Sequence, residues 1–442
     1  MLQLTLLSLS PQLKRVSFTD QRKVKELLEA ASSGDLRLLK EVVKELGEGK
    51  EIPDMIEEIK DATGLTALHL SAFFGRTEIC QYLVEDLGFP VDFLSPIGDT
   101  PLSHAAIRGH VATSRYLISQ GANPVASNTD GSTPLHHAAR FGQDKLVKYL
   151  LSIGVPVDVT CNCATGAPLV MAALFGQTST VEVLLQHHAD VDTATSIGYT
   201  PLLSSVFAGS LECIKLLIKA GADLNLKCPL DMAIRRGSIE IMKCLLQAGA
   251  DPNVRNEYGC LPIERAVMLK KWDVVGILFS LTSPVSELHD WSVHGILQYV
   301  KSHAFMEKHD AILKKNMADL KVKGAELVKK KEYLNASFSY TKAIEIDSGD
   351  AALYSNRSLC WHRMRDGELA LEDALLAQRL RPEWPKAYYR IGAAFMLLEE
   401  YVQASQAFMD GLQLDSTNIE MKKAYWEAVD CLRKSHFGET TE

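Results

Sequence analysis

The stretch GSTPLHHAARFG at residues 131–142 decides the reading of the N-terminal half. It places threonine, proline, leucine and two histidines before a short apolar run, and it closes on glycine. Proline suits the first turn of a helix, where a missing N–H costs nothing. Glycine suits the left-handed residue that ends one. The stretch therefore predicts a short helix opening at Pro134 and stopping at Gly142. Outward from it the pattern recurs at GLTALHLSAFFG (64–75), GDTPLSHAAIRG (98–109), TGAPLVMAALFG (165–176), GYTPLLSSVFAG (198–209) and KCPLDMAIRRG (227–237). The closing glycines, 75, 109, 142, 176, 209 and 237, lie 34, 33, 34, 33 and 28 residues apart. Amphipathic stretches such as DKLVKYLLSIG (144–154) follow them and read as second helices. Loops at GAN 121–123, GVP 154–156, HAD 188–190, GAD 221–223 and GAD 249–251 end the units. One such unit cannot bury its own apolar face, so the units must stack.

On these motifs residues 22–281 resemble the ankyrin-repeat family. The T-P-L-H motif is intact at 133–136 and degraded to T-A-L-H at 66–69, T-P-L-S at 100–103, A-P-L-V at 167–170 and T-P-L-L at 200–203. Residues 22–46 read as an N-terminal cap, and 259–280, in phase but without the glycine, as a closing unit. The sixth unit is short, so its finger at 224–228 is expected to be stunted. The resemblance implies a structural, hydrogen-bonding role for His69 and His136. It also turns the two residues before each closing glycine toward the concave side. Phe74, Phe141, Phe175 and Phe207 then form one stripe, turning basic at Arg235 and Arg236. An exposed aromatic stripe marks a binding surface, here a groove for an apolar, acidic-ended polypeptide that the sequence does not identify. Packing of the rings between repeats is the competing reading.

A second periodicity starts near residue 317. Gly324, Ser358 and Gly392 are 34 apart, as are Ala336, Ala370 and Ala404, and Ala343, Ala377 and Gly411. Small residues at fixed points let paired helices approach closely, and large ones such as Tyr340, Tyr354, Trp361, Tyr388, Phe395 and Phe408 fill the gaps. The pattern resembles three tetratricopeptide (TPR) repeats, 317–350, 351–384 and 385–418, followed by a capping helix at 419–435. Lys321, at position 5 of the first unit, Asn356, at position 6 of the second, and Lys386 and Arg390, at positions 2 and 6 of the third, then converge on one concave face. Arg363 stands seven residues after Asn356, two turns along the same helix face.

This set resembles the dicarboxylate clamp of co-chaperone TPR domains of the stress-inducible, Hsp-organising type. The resemblance implies, as partners, the C-terminal Glu-Glu-Val-Asp tails of the seventy- and ninety-kilodalton heat-shock chaperones. Ammonium and guanidinium groups satisfy carboxylates through charge-assisted bonds. The asparagine amide adds a directed donor. The pattern departs from the family at Ala325, where a second asparagine is usual, and at Leu359, where a smaller residue is usual. One lost donor costs ~0.5–1.5 kcal/mol.

Composition bounds the rest. The 442 residues are 47% hydrophobic and 23% charged with a formal net charge of −8, which disfavours a chain-wide nucleic-acid binder. No run of apolar residues is long enough for a membrane span. The nine cysteines are odd in number and scattered, which suits a reducing, cytoplasmic setting better than a disulfide framework. Cys161 and Cys163 alone are close, and no metal site is expected from them. Residues 1–10 (MLQLTLLSLS) lack the basic start of a secretory signal and the arginines of a transit peptide. Phosphate-loop, dinucleotide, zinc-protease and nucleophile-elbow motifs are missing, so the sequence predicts no catalytic residue, no cofactor and no enzyme. The expected fold class is all-α, an ankyrin solenoid followed by a TPR solenoid. Its expected layout is an extension at 1–21, ankyrin repeats at 22–281, a helical connector at 282–315, TPR repeats at 316–418 and a cap and tail at 419–442. The function implied is an adaptor joining a chaperone tail to a client or regulator. A scaffold for another acidic C-terminus or an internal segment is the alternative. A ubiquitin-ligase adaptor subunit is a weaker one, since the zinc or catalytic module of such an enzyme has no counterpart here.

Overall fold

The computed structural model describes residues 18–46, 59–61, 64–159, 166–195, 198–286, 288, 290–364 and 366–437. Residues 1–17 of the N-terminal extension and the Cys161/Cys163 pair lie outside them. All regular elements among the described residues are helical. The chain divides into two compact units, residues 1–256 with 261–283, and residues 257–260 with 284–442.

In the first unit, helix pairs follow one another in the phase of the sequence repeats. Pro101–Arg108 with Val111–Ser119, and Pro134–Arg140 with Asp144–Ser152, are typical. Proline opens these first helices, and the closing glycines 75, 109, 142, 176, 209 and 237 all adopt positive φ between 66° and 78°. Where glycine is missing the backbone still demands that conformation. Lys270 (φ 57°) takes it in the closing unit and His188 (φ 62°) in the HAD loop. The shortened sixth finger turns through two consecutive left-handed residues, Lys227 and Cys228 (φ 62° and 55°), and Cys228 caps the next helix with its carbonyl, which accepts from the Asp231 and Met232 N–H groups.

His69 and His136 join neighbouring repeats. His136 Nε2 lies 2.8 Å from the carbonyl of Gly166, and its Nδ1 lies 2.9 Å from the Thr133 hydroxyl. A carbonyl can only accept, so Nε2 carries the proton and Nδ1 accepts from threonine. His69 repeats the arrangement with Asp99 O and Thr66 Oγ1. Burial holds its ring well below the ordinary histidine value, at about 4.

Two further ladders tie the stack together. Side chains that start one second helix reach back to the carbonyls ending the previous first helix: His110 to Phe73, Gln143 to Ile107, Gln177 to Arg140 and Lys271 to Ile234. In the fingers, Asp92, Asp158, Asp192 and Asn225 accept from backbone N–H groups of the next unit at Asn123, Asp190, Asp223 and Asp251. Both ladders satisfy groups that a lone helix pair would leave open.

The second unit contains the short helix Val293–Val300, the long helix His303–Lys329, and then Tyr333–Ile346, Ala351–Arg363, Gly367–Leu380, Pro385–Leu397, Tyr401–Leu414 and Ile419–Phe437. The connector boundary expected at 315/316 falls inside His303–Lys329, which runs through it unbroken. No glycine or proline interrupts residues 303–323, so nothing in the chain stops the helix there.

Candidate functional site

Small-to-large packing positions the site-bearing helices. A Cβ on Gly324 would lie 2.7 Å from the Tyr340 ring, and one on Gly392 would lie 2.5 Å from the Phe408 ring. Phe408 and Tyr340 are buried. In the middle unit Ser358 replaces glycine, and its hydroxyl donates to Ala370 O at 2.7 Å. The same helix is held by Arg357, which forms a two-pronged ion pair with buried Asp373 at 2.8 and 2.7 Å. Trp361 Nε1 donates to that carboxylate as well.

Three of the five residues expected to hold a carboxylate share one concavity. Arg363, Lys386 and Arg390 line a pocket of about 740 Å³ with Leu359, Tyr389 and residues of the capping helix, including Glu420, Lys423 and Glu427. Arg363 and Lys386 are exposed at its edge, while Arg390 is half-buried. The Arg390 Nε–H is buried and has no hydrogen-bond partner. Burial holds the Arg390 guanidinium below its ordinary value, and the neighbouring Arg363 charge adds to the effect. Lys386 is lowered too, by burial and then by Arg390, and its ammonium lies 5.7 Å from the centre of the Trp384 ring. The arrangement is a cationic pocket whose inner donor is unsatisfied, which favours an entering anion.

The other two residues stand apart from that pocket. Lys321 forms an ion pair with Asp350, Nζ to Oδ2 at 2.5 Å. Asn356 is half-buried on Ala351–Arg363, and its carbonyl accepts from the Cys360 thiol. Neither lines the pocket. Ala325 is exposed, and Leu359 faces the Arg390 pocket. Sequence reasoning missed Asp350 and Lys423. The N-capping place of Asp350, just before Ala351–Arg363, was a visible signal for the first.

In the first unit Phe141, Phe175 and Phe207 are 44%, 45% and 38% exposed, too open for rings buried between repeats. Phe74 is half-buried and packs edge-on against Phe73 at 5.1 Å. Arginines cover the exposed rings: Arg140 stands over Phe141 and Phe175 at 5.3 and 4.6 Å, and Arg236 over Phe207 at 4.7 Å. These cation–π contacts were not foreseen from the sequence. They place the basic character along the stripe as well as at its end.

Comparison with known proteins gives the class. A family model of ankyrin repeats (3 copies) matches residues 27–128, 87–163 and 155–228, and one of ankyrin repeats (many copies) matches 217–266. The chain is 38% identical over 103 residues to the heat shock protein sti1 homolog of Schizosaccharomyces pombe, covering 23% of this chain and 17% of that one. It is 31% identical over 120 residues to the Hsp70-Hsp90 organizing protein of Triticum aestivum, covering 27% and 21%. It is 35% identical over 98 residues to tetratricopeptide repeat protein 28 of Homo sapiens, covering 22% and 4%. The crystal structure of the human ASB11 ankyrin repeat domain aligns with a TM-score of 0.42 at 24% identity, over 54% of this chain and 99% of that one. The protein is therefore a tandem-repeat protein of two helical arrays. The chain belongs to the ankyrin-repeat family, and part of it is similar to TPR-containing relatives that include co-chaperones. It spans about a fifth or less of the length of these three relatives. Among the described residues no helix is long and apolar enough to cross a membrane, and no cluster of ligating side chains could hold a metal.

Proposed function

We propose that the protein is a non-enzymatic adaptor whose TPR array binds an acidic C-terminal tail, of the Glu-Glu-Val-Asp kind carried by heat-shock chaperones, while its ankyrin groove holds a client or regulator. The observation that carries this reading is the convergence of Arg363, Lys386 and Arg390 on one pocket with the buried Arg390 Nε unsatisfied. Lys386 and Arg390 hold a carboxylate at the tail's end, Arg363 takes an upstream acid, and Lys321 and Asn356 stand on the first helices of the preceding units. Similarity to organizing proteins named for Hsp70 and Hsp90 supports the choice of tail. The scattered free cysteines support a reducing, cytoplasmic setting.

The test is calorimetric titration with a Met-Glu-Glu-Val-Asp peptide and with the same peptide ending in asparagine amide, which lacks both terminal carboxylates. A charge-assisted bond contributes ~1.5–3 kcal/mol, so Lys386→Ala or Arg390→Ala is expected to weaken binding about tenfold or more. The asparagine-amide peptide is expected not to bind. Equal affinity for both peptides rules the reading out. For the ankyrin groove, the double variant Phe141→Ser, Phe175→Ser is expected to keep the helical spectrum and lose partners captured by the first unit. Loss of the fold instead would show that the rings are core.

A further inference from the structure

The two halves of the carboxylate face differ in the free protein. On one side Lys321 already has a carboxylate, that of Asp350 at 2.5 Å. Asp350 does not swing freely. Its Oδ1 accepts from the Ala352 N–H at 2.9 Å, so it is the N-cap of Ala351–Arg363. Burial works against its ionisation, but the bonds from Lys321 and the Ala352 N–H outweigh this and hold it below the usual carboxylate range. It is therefore a fixed anion at neutral pH. The donor that would otherwise stand one turn along the same helix is replaced by Ala325. On the other side, Lys386, Arg390 and Arg363 line a pocket that also holds Lys423, Glu420 and Glu427, with Glu420 acting on Arg390 from a distance, and Arg390 Nε is buried without a hydrogen-bond partner.

We propose that Asp350 is the specificity-determining residue of this site: it occupies Lys321 as a built-in carboxylate, so the free array offers one open carboxylate pocket, at Lys386 and Arg390, where a terminal aspartate brings two. This rests on the carboxylate-binding reading above. An entering tail gains a full set of contacts at the open pocket. At Lys321 it only exchanges one carboxylate for another, so the net gain there is small. The preferred ligand is then an acidic tail with one carboxylate for the pocket and an upstream acid for Arg363 or Lys423, and the second terminal carboxylate adds little.

The experiment uses the full chain and three peptides: Met-Glu-Glu-Val-Asp, its C-terminal amide, and Met-Glu-Glu-Val-Asn with a free C-terminus. The wild-type protein is expected to bind one of the two single-carboxylate peptides within about threefold of the parent. Asp350→Asn keeps the N-cap, since asparagine caps as well as aspartate. It frees Lys321 and is expected to tighten the parent peptide about tenfold, the gain of one charge-assisted bond. Against this variant both single-carboxylate peptides should fall well below the parent. Lys321→Ala should change wild-type affinity by less than about threefold, yet abolish the gain made by Asp350→Asn. Asp350→Ser, another good cap, guards against an effect peculiar to asparagine. A tenfold loss from Lys321→Ala in the wild-type background overturns the proposal. So does an unchanged parent affinity in both capped Asp350 variants. If the parent and the asparagine-amide peptide bind alike, and Lys386→Ala has no effect, the carboxylate reading itself falls and this proposal with it.

Discussion

His104→Leu should remove about half of the acid sensitivity of the first ankyrin units. His104 is buried against His69, ring centres 5.1 Å apart and nearly perpendicular, with Phe73 at 6.3 Å. Neither of its ring nitrogens has a hydrogen-bond partner. Burial, followed by the neighbouring His69, lowers its pKa to about 3, and burial lowers that of His69 to about 4. Asp99 pulls the other way on both, and it is itself bonded to His137 at 3.1 Å. An unfolded histidine protonates near 6.5. Above about pH 7.5 neither state binds these protons, and there is no penalty. As pH falls below 6.5 the unfolded chain takes up protons that the fold refuses, so stability drops until the folded values of about 4 and 3 are passed. At pH 5 the loss is about 2 kcal/mol for each ring. Leucine has a similar volume and no protons to refuse. Urea unfolding of the full chain at pH 7.5 and pH 5, with amide exchange in Pro101–Arg108 as the local probe, should show the variant losing about 2 kcal/mol less than wild type on acidification. Its stability at pH 7.5 should be equal or higher, because an unpaired buried polar group is gone. Equal acid losses in the two proteins would refute the reasoning.

Three other substitutions test the packing that positions the sites. Asp373→Ala strands the half-buried Arg357 guanidinium and should cost about 3 kcal/mol in thermal or urea melts. Adding Arg357→Met should recover much of that loss. Gly392→Ala drives a methyl into Phe408 and should cost about 1–3 kcal/mol, recovered in part by Phe408→Leu. Lys270→Gly relieves a left-handed backbone in the closing ankyrin unit and should stabilise it by about 1 kcal/mol, read as a higher melting midpoint with unchanged slope.

Much of the molecule was legible because repeats constrain residues locally. A proline that opens a helix and a glycine that ends it act through their own φ angles, so the phase of the first array follows from their spacing, and that of the second from small residues 34 apart where helices approach closely. The same local logic located His136, whose bond to Thr133 closes over three residues. The resemblance to a carboxylate clamp named Lys321, Asn356, Arg363, Lys386 and Arg390, of which Arg363, Lys386 and Arg390 line one pocket and Lys321 and Asn356 do not.

What the sequence could not decide is which of those groups are already taken. Lys321 and Asp350 are 29 residues apart, and Arg357 and Asp373 are 16 apart. Which carboxylate a long cationic side chain meets depends on the packing of neighbouring helices to within an ångström. The same holds for Arg140, which the sequence placed in the groove and the structure laid across Phe175. By itself the sequence determined the architecture and the order of the repeat helices, since both follow from periodicity. Only the tertiary structure divided the candidate carboxylate residues into an occupied half at Lys321 and an open half at Arg390, because charge pairing depends on distances in space and not on spacing along the chain.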